Sequence, residues 1–431
     1  MGKIIRIVIA FLVAWMFYFP MAFTFLPVSI NSKMLVAFVG LLILGIEILT
    51  RRTDLYLSKS FVWLIVLACL FSLSCYLSVV INDTNDLDYT TYFVSMAVWL
   101  LAAYASVKCI KWAHGYTDVK LICYYIIFLC CLQCILALSF VMVPGVKAFF
   151  ARLVLIGYET SSWESRLHGL GASYDTAGIR FCVALSLLGY LMSTVKYSKS
   201  QLFALTIIFW VIFFLGNMMA RTTSVGAIVA ILFLFYMSKI WTSQICVSAV
   251  RALFYIIISV ILLSPLLIIL YNSSADVRDL AEFGFEFFFQ YKETGEIATR
   301  SSNSLLEMWT IWPHDLRTWI IGDGRFLDPD NPDLFYMRTD VGYARFVFYC
   351  GLLGLSLFVC FFLQLYSMLS RRFPQYSQLF SILLLLVFVI WIKVSTDIFF
   401  IFAFFFCADL PNSERPGTMN VLEDISNEDS L

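Results

Sequence analysis

Charge is what this 431-residue chain has least of. Asp, Glu, Lys and Arg together make 13% of it, and 29 basic residues balance 29 acidic ones. A soluble domain carries about 25% charged residues, so a water-facing globule is excluded. The zero net charge leaves no global field to draw in nucleic acid. Neither a G-x-x-x-x-G-K-[ST] loop nor a Rossmann fingerprint occurs, so nothing marks a nucleotide site. No convincing internal repeat and no recognisable soluble domain are present. The twelve cysteines nearly all lie inside apolar runs and none falls in the one long polar loop, which excludes a disulfide framework there. Cys131-Leu-Gln-Cys134 has CxxC spacing, but it sits mid-run without a second ligand pair, so packed apolar cysteines explain it and no metal is expected.

What is there is hydrophobic: 61% of the residues, with a mean hydropathy of +0.88. Spanning a hydrocarbon core takes about 20 apolar residues in a helix. Runs of roughly that kind lie near 4–26, 34–49, 61–81, 89–107, 121–143, 178–194, 202–219, 225–240, 252–271, 341–369 and 379–392. A further run at 398–407 is too short to cross alone and fits a half-helix or the end of a bent span. The expected fold is therefore an all-α polytopic membrane protein of about 11–12 transmembrane helices. It divides into a bundle over 1–271, a loop over 272–340, C-terminal helices over 341–408 and a disordered acidic tail over 409–431. Lys3 and Arg6 precede the first run, which is too long for a cleaved signal and reads as a retained anchor.

Basic residues fall in every second gap: Lys3 and Arg6, Arg51 and Arg52, Lys108 and Lys111, Lys196 and Lys199, Lys239 and Arg251, Arg371 and Arg372. By the positive-inside rule the N-terminus is cytoplasmic, and the 272–340 loop is extracytoplasmic. That loop carries six Lys/Arg against thirteen Asp/Glu. Within it, 301–312 reads as an amphipathic helix stopped by Pro313 and lying along the bilayer surface.

Three segments on that outer side hold arginines where the rule expects few: 144–177 with Arg166, the short turn with Arg221, and the helix start "TDVGYARFVFYCGLLG" with Arg345. Snorkelling at a helix end is the plain explanation for any one of them. Arg345, however, sits near a helix N-terminus whose dipole is already positive, so it requires a partner anion. The anion found at that depth is the pyrophosphate of a lipid carrier, which the planar guanidinium fork suits. Asp340 is expected to cap the helix start, worth about 1 kcal/mol, and has equal standing as a general base. Asp175 is the other first candidate, either base or cap, with Glu164 and His168 behind them. Aromatics on the outer side could stack on sugars or form the interfacial belt. Lys393 and Asp397, four apart, could pair on one helix face and are the best feature in favour of a transporter.

These residues carry a resemblance. Arg166-x-x-Gly169 followed by Ala177, "ARTTSVG" at 220–226, and "IIGDG" with the helix start at 339–354 resemble the motifs of the Wzy-type O-antigen and capsule polymerases, which share a superfamily with the O-antigen ligases. The chain departs from the pattern at Ala220, where serine is usual, and at Thr339-Asp340, where ligases carry His-Asn; His314 keeps the ligase alternative open. The resemblance implies an enzyme of the bacterial cytoplasmic (inner) membrane. It would be a metal-independent glycosyltransferase without cofactor that joins undecaprenyl-pyrophosphate-linked oligosaccharide units. Arg166, Arg221, Arg345, Arg338 and Arg325 would bind pyrophosphate, and Tyr343, Tyr174 and His314 would bind substrate. A chain-length regulator and a flippase in the same membrane are the implied protein partners. A ligase, or a flippase or transporter, is the alternative.

Overall fold

The computed structural model describes residues 2–27, 29–50, 58–156, 166–172, 174–242, 244–273, 275–295 and 300–410. Seventeen α-helices are defined among them: α1 Lys3–Tyr18, α2 Ser32–Leu49, α3 Lys59–Ile81, α4 Tyr92–His114, α5 Val119–Met142, α6 Pro144–Ala151, α7 Tyr174–Thr194, α8 Lys199–Met219, α9 Thr223–Ser238, α10 Val247–Tyr271, α11 Ala275–Gly284, α12 Glu286–Thr294, α13 Arg300–Met308, α14 Leu316–Ile320, α15 Gly342–Arg372, α16 Ser377–Ile390 and α17 Phe399–Phe406. The described residues hold isolated bridges but no strand. Eight helices (α2, α3, α4, α5, α7, α8, α10 and α15) are long and apolar enough to cross a membrane. The chain is an all-α multi-pass membrane protein.

Three expected spans form helices shorter than the eight, and one of them is shorter than its apolar run. The first run reaches residue 26, but α1 stops at Tyr18 because Pro20 lacks an N–H and drives Phe19 out of helical geometry. At 16 residues α1 is about 24 Å long, as is α9, and α16 has 14 residues. The surface helix expected over 301–312 ends at Met308. Residues 391–398 are not helical, so the last apolar stretch is split into α16 and the eight-residue α17.

α7 is the centre of the bundle. Of its spanning window 94% is buried, against 11% for α10. Small residues make this possible: a Cβ on Gly226 of α9 would stand 2.3 Å from the Cys182 carbonyl oxygen of α7, so the two backbones touch. In a bilayer, where lipid is as apolar as leucine, such backbone contact is a main source of helix association.

The bundle has a loop end and a far end. At the far end Glu47 pairs with Lys108 at 2.8 Å and Lys111 with Asp409 at 2.7 Å. At the loop end the segment 316–326 is wedged between α3 and α15, and α15 is broken to receive it. Gly351 adopts φ +64°, and a Cβ there would lie 2.2 Å from the Ile320 carbonyl oxygen. Breaking the helix frees the carbonyls of Phe348 and Tyr349, which accept from Asp323 N at 2.6 Å and Gly324 N at 3.1 Å. Ser78 Oγ donates to the Tyr349 oxygen, and Asn82 and Thr84 side chains donate to the Gly322 and Gly324 oxygens, all within 2.9 Å. Away from water every backbone polar group needs such a partner, and here the "GDG" loop and the broken helix supply each other.

Candidate functional site

The loop end gathers side chains from four segments. α7 brings Asp175 in its first turn, the α8–α9 turn brings Arg221 and Thr222, α15 opens on Asp340 and carries Arg345, and the 391–398 segment brings Lys393. Lys393 Nζ lies 2.8 Å from Asp175 Oδ1, which also accepts from Thr222 Oγ1 at 3.4 Å. The pair is only half-buried, with 34% and 41% of the two side chains exposed.

Lys393 therefore does not pair with Asp397 on a helix face as expected. The helix stops before it, and Asp397 Oδ1 instead accepts from Phe399 N at the start of α17. Nor does Asp340 cap α15. The residue preceding the helix is Val341, no side chain caps it, and the nearby Thr339 Oγ1 accepts from Val341 N. The Asp340 carboxylate is left for other work. It is exposed at one edge, yet protein packed around it raises its carboxyl above the ordinary aspartate range; Arg345 opposes the rise, Asp175 adds to it and Lys393 opposes it. Three neighbouring charges thus act on Asp340. Met337 and Arg338, directly ahead of Thr339, hold φ of +56° and +53°, a costly backbone for non-glycine residues that turns the chain into the helix start.

Arg345 is the most unusual of the group. It is 5% exposed, and its guanidinium is sandwiched 4.2 Å from the Phe326 ring centre and 3.5 Å from that of Phe335. Both rings belong to a loop folded back over it, in which Tyr336 N donates to the Phe326 oxygen and Asp86 Oδ2 accepts from Phe326 N. Among the described residues no acceptor lies in hydrogen-bonding reach of Arg345 Nε or Nη2. Stacking on desolvated rings is worth about 2 kcal/mol, while each unmet buried donor costs about 1–3 kcal/mol and more when charged. The balance favours an anionic acceptor. Asp88, whose carboxyl is raised by burial and by Asp86, faces Arg345 electrostatically without a direct bond.

A second cationic group lies beside the first, joined through the Arg221–Thr222 peptide. Arg166 and Arg221 stand over the Phe283 ring at 4.4 and 4.6 Å, Arg221 Nε donates to the Phe283 oxygen at 3.0 Å, and Arg221 is ion-paired with Glu286. The "RLHG" segment is fixed on the bundle by Leu167 N donating to Met218 O and Gln133 Nε2 donating to Leu170 O. His168 is half-buried in it.

The other expected site residues are scattered. Arg338 is 75% exposed and sits 3.9 Å from Asp328, and Arg325 is half-buried beside the "GDG" turn. His314 is exposed next to Asp315, whose carboxylate caps α14 by accepting from Thr318 N. Tyr343 is turned to the bundle and donates to the Phe388 oxygen at 3.0 Å. Glu164 and the side chain of Tyr174 lie outside the described residues.

Sequence reasoning missed Lys393 as a partner of Asp175, Glu286 as a partner of Arg221, and Arg180. Arg180 is 7% exposed in α7, with Nε donating to the Tyr18 oxygen at 2.6 Å and Nη1 to the Thr176 oxygen at 2.8 Å. A signal for it existed: Asp175 and Arg180 have the same D-x-x-x-x-R spacing as Asp340 and Arg345. Comparison with family models, with curated proteins and with solved structures returned no match.

Proposed function

We propose that the protein is a polymerase of lipid-linked oligosaccharides, working on undecaprenyl-pyrophosphate-linked repeat units at the extracytoplasmic face of a bacterial cytoplasmic membrane. The observation that carries this is Arg345: a buried guanidinium with two unmet donors at a helix mouth, beside two carboxylates and an ammonium. The far end holds Lys108, Lys111 and Arg372, which supports a cytoplasmic far end and an extracytoplasmic loop end.

In this proposal the acceptor unit's hydroxyl oxygen attacks the donor's anomeric carbon, and the bond from that carbon to the pyrophosphate oxygen breaks. The electron pair leaves with the polyprenyl pyrophosphate, where Arg345 meets the developing charge. Asp340 accepts the hydroxyl proton, since its raised carboxyl matches a base better than an ordinary aspartate does. Asp175, ion-paired with Lys393, orients the acceptor, so the two carboxylates take different roles. The glycan product would be O-antigen or capsular polysaccharide, made alongside a chain-length regulator and a flippase. Purified protein given synthetic lipid-linked repeat units should yield a ladder of longer products, unchanged by a chelator. Unconverted single units would overturn the proposal, and transfer of the glycan to added lipid A-core or protein without a ladder would support a ligase instead.

A further inference from the structure

A cavity of about 1020 Å³ forms a trough between α8 and α10 roofed by α11 and α12. From Phe203 to Met218 it follows α8 for roughly 22 Å at 1.5 Å per residue. Its walls include Trp210, Leu263, Tyr271 and Phe285. The polar atoms in it are turned inward: Trp210 Nε1 donates to Ser259 Oγ at 2.6 Å, and Ser259 Oγ donates to the Ile256 oxygen. Pro265 interrupts α10 and cannot bond the Ile261 oxygen, but Ser264 Oγ does so at 2.9 Å, so the helix passes without exposing a polar group. What remains is a surface fit for hydrocarbon.

At its loop end the trough meets charge. Phe285 forms part of its wall, while the neighbouring Phe283 lies against Arg166 and Arg221, and Glu286 pairs with Arg221. A long apolar channel ending at two guanidiniums complements one kind of molecule, a chain with an anionic head. We infer that the α8–α10 trough holds the isoprenoid chain of a polyprenyl pyrophosphate, which enters sideways from the bilayer and brings its head to Arg166 and Arg221 in competition with Glu286. The choice of head group rests on the polymerase proposal; the trough and its cationic end do not.

Native mass spectrometry of the full chain in detergent tests this with undecaprenyl pyrophosphate and undecaprenol as probes. The pyrophosphate should be retained at least tenfold better than the alcohol. Leu263→Trp, which fills the trough, should cut retention of both at least tenfold, whereas Arg221→Gln should erase only the preference for the pyrophosphate. Equal retention of the two probes, or retention untouched by Leu263→Trp, overturns the inference. Should Leu263→Trp fail to accumulate, a photo-crosslinking residue at Leu267 replaces it: labelling of the added pyrophosphate lipid supports the trough, and labelling of bilayer phospholipid alone overturns it. No turnover is needed, so tight binding without polymerisation sinks the polymerase proposal and spares the trough. Polymerisation indifferent to Leu263→Trp does the reverse.

Discussion

Arg221 and Arg345 lie at the same end of the bundle, each against phenylalanine, yet Arg221 is in a direct ion pair and Arg345, among the described residues, is in none. Arg221 is ion-paired with Glu286 and bonded to a backbone oxygen, with 27% of its side chain exposed. Arg345 is buried between two rings and keeps two donors without an acceptor among the described residues. The contrast separates a cation whose charge is already answered from one whose charge is stored. Removing the first weakens a place where a ligand must compete with Glu286. Removing the second takes away charge that only a ligand can use.

The strongest way to break this comparison is to exchange Arg345. Arg345→Gln should lower polymerisation by about 10²–10³-fold, the cost of one donor lost from a preorganised electrostatic site. Arg345→Lys should rescue little, because an ammonium cannot fork. A variant retaining wild-type ladder length would end the assignment. Next comes Asp340→Asn, expected to cost about 10²-fold as the loss of a general base. The wild-type acid limb sharpens the point. A base acts only when ionised, so activity must fall as pH drops through its pKa; because the Asp340 carboxyl is raised, that fall should lie above pH about 4, the ordinary aspartate value. Asp340→Asn should remove that limb.

Arg221→Lys should cost only about tenfold, one good charge-assisted bond, and measured alongside Arg345→Lys it gives the comparison directly. Equal losses would mean the Glu286 pair does not distinguish the two. The smallest effect is expected from Phe335→Leu, which removes one ring over Arg345. A loss of about 1 kcal/mol, roughly fivefold, follows if stacking only holds the guanidinium in line.

Much of the fold was legible because spanning helices leave a plain signature. α3, α5 and α8 match their apolar runs to within a few residues. The misses have local causes. Pro20 cut α1 short, whereas the break in the last span had left a mark, since the polar segment 393–397 separates 379–392 from a run too short to cross alone. The candidate site was legible residue by residue but not as pairs. Asp340 looked like a cap because Asp at a helix start usually is one, and Lys393 looked like a partner of Asp397 because the intervening residues read as helix. Partners distant in sequence, such as Glu286 for Arg221 or Lys393 for Asp175, leave no mark in a single chain.

The break in α15 at Gly351 bears on how the molecule is assembled. The first turns of that helix have their carbonyls answered by residues 323 and 324, so they cannot be complete until the preceding loop is seated. The loop is thereby not an appendage but a keystone, and its two halves should differ in tolerance to insertion. A short epitope inserted between Thr294 and Gly295 should leave protein levels in the membrane unchanged, whereas the same epitope between Ile321 and Gly322 should abolish accumulation. Quantitative immunoblotting of membranes checks both.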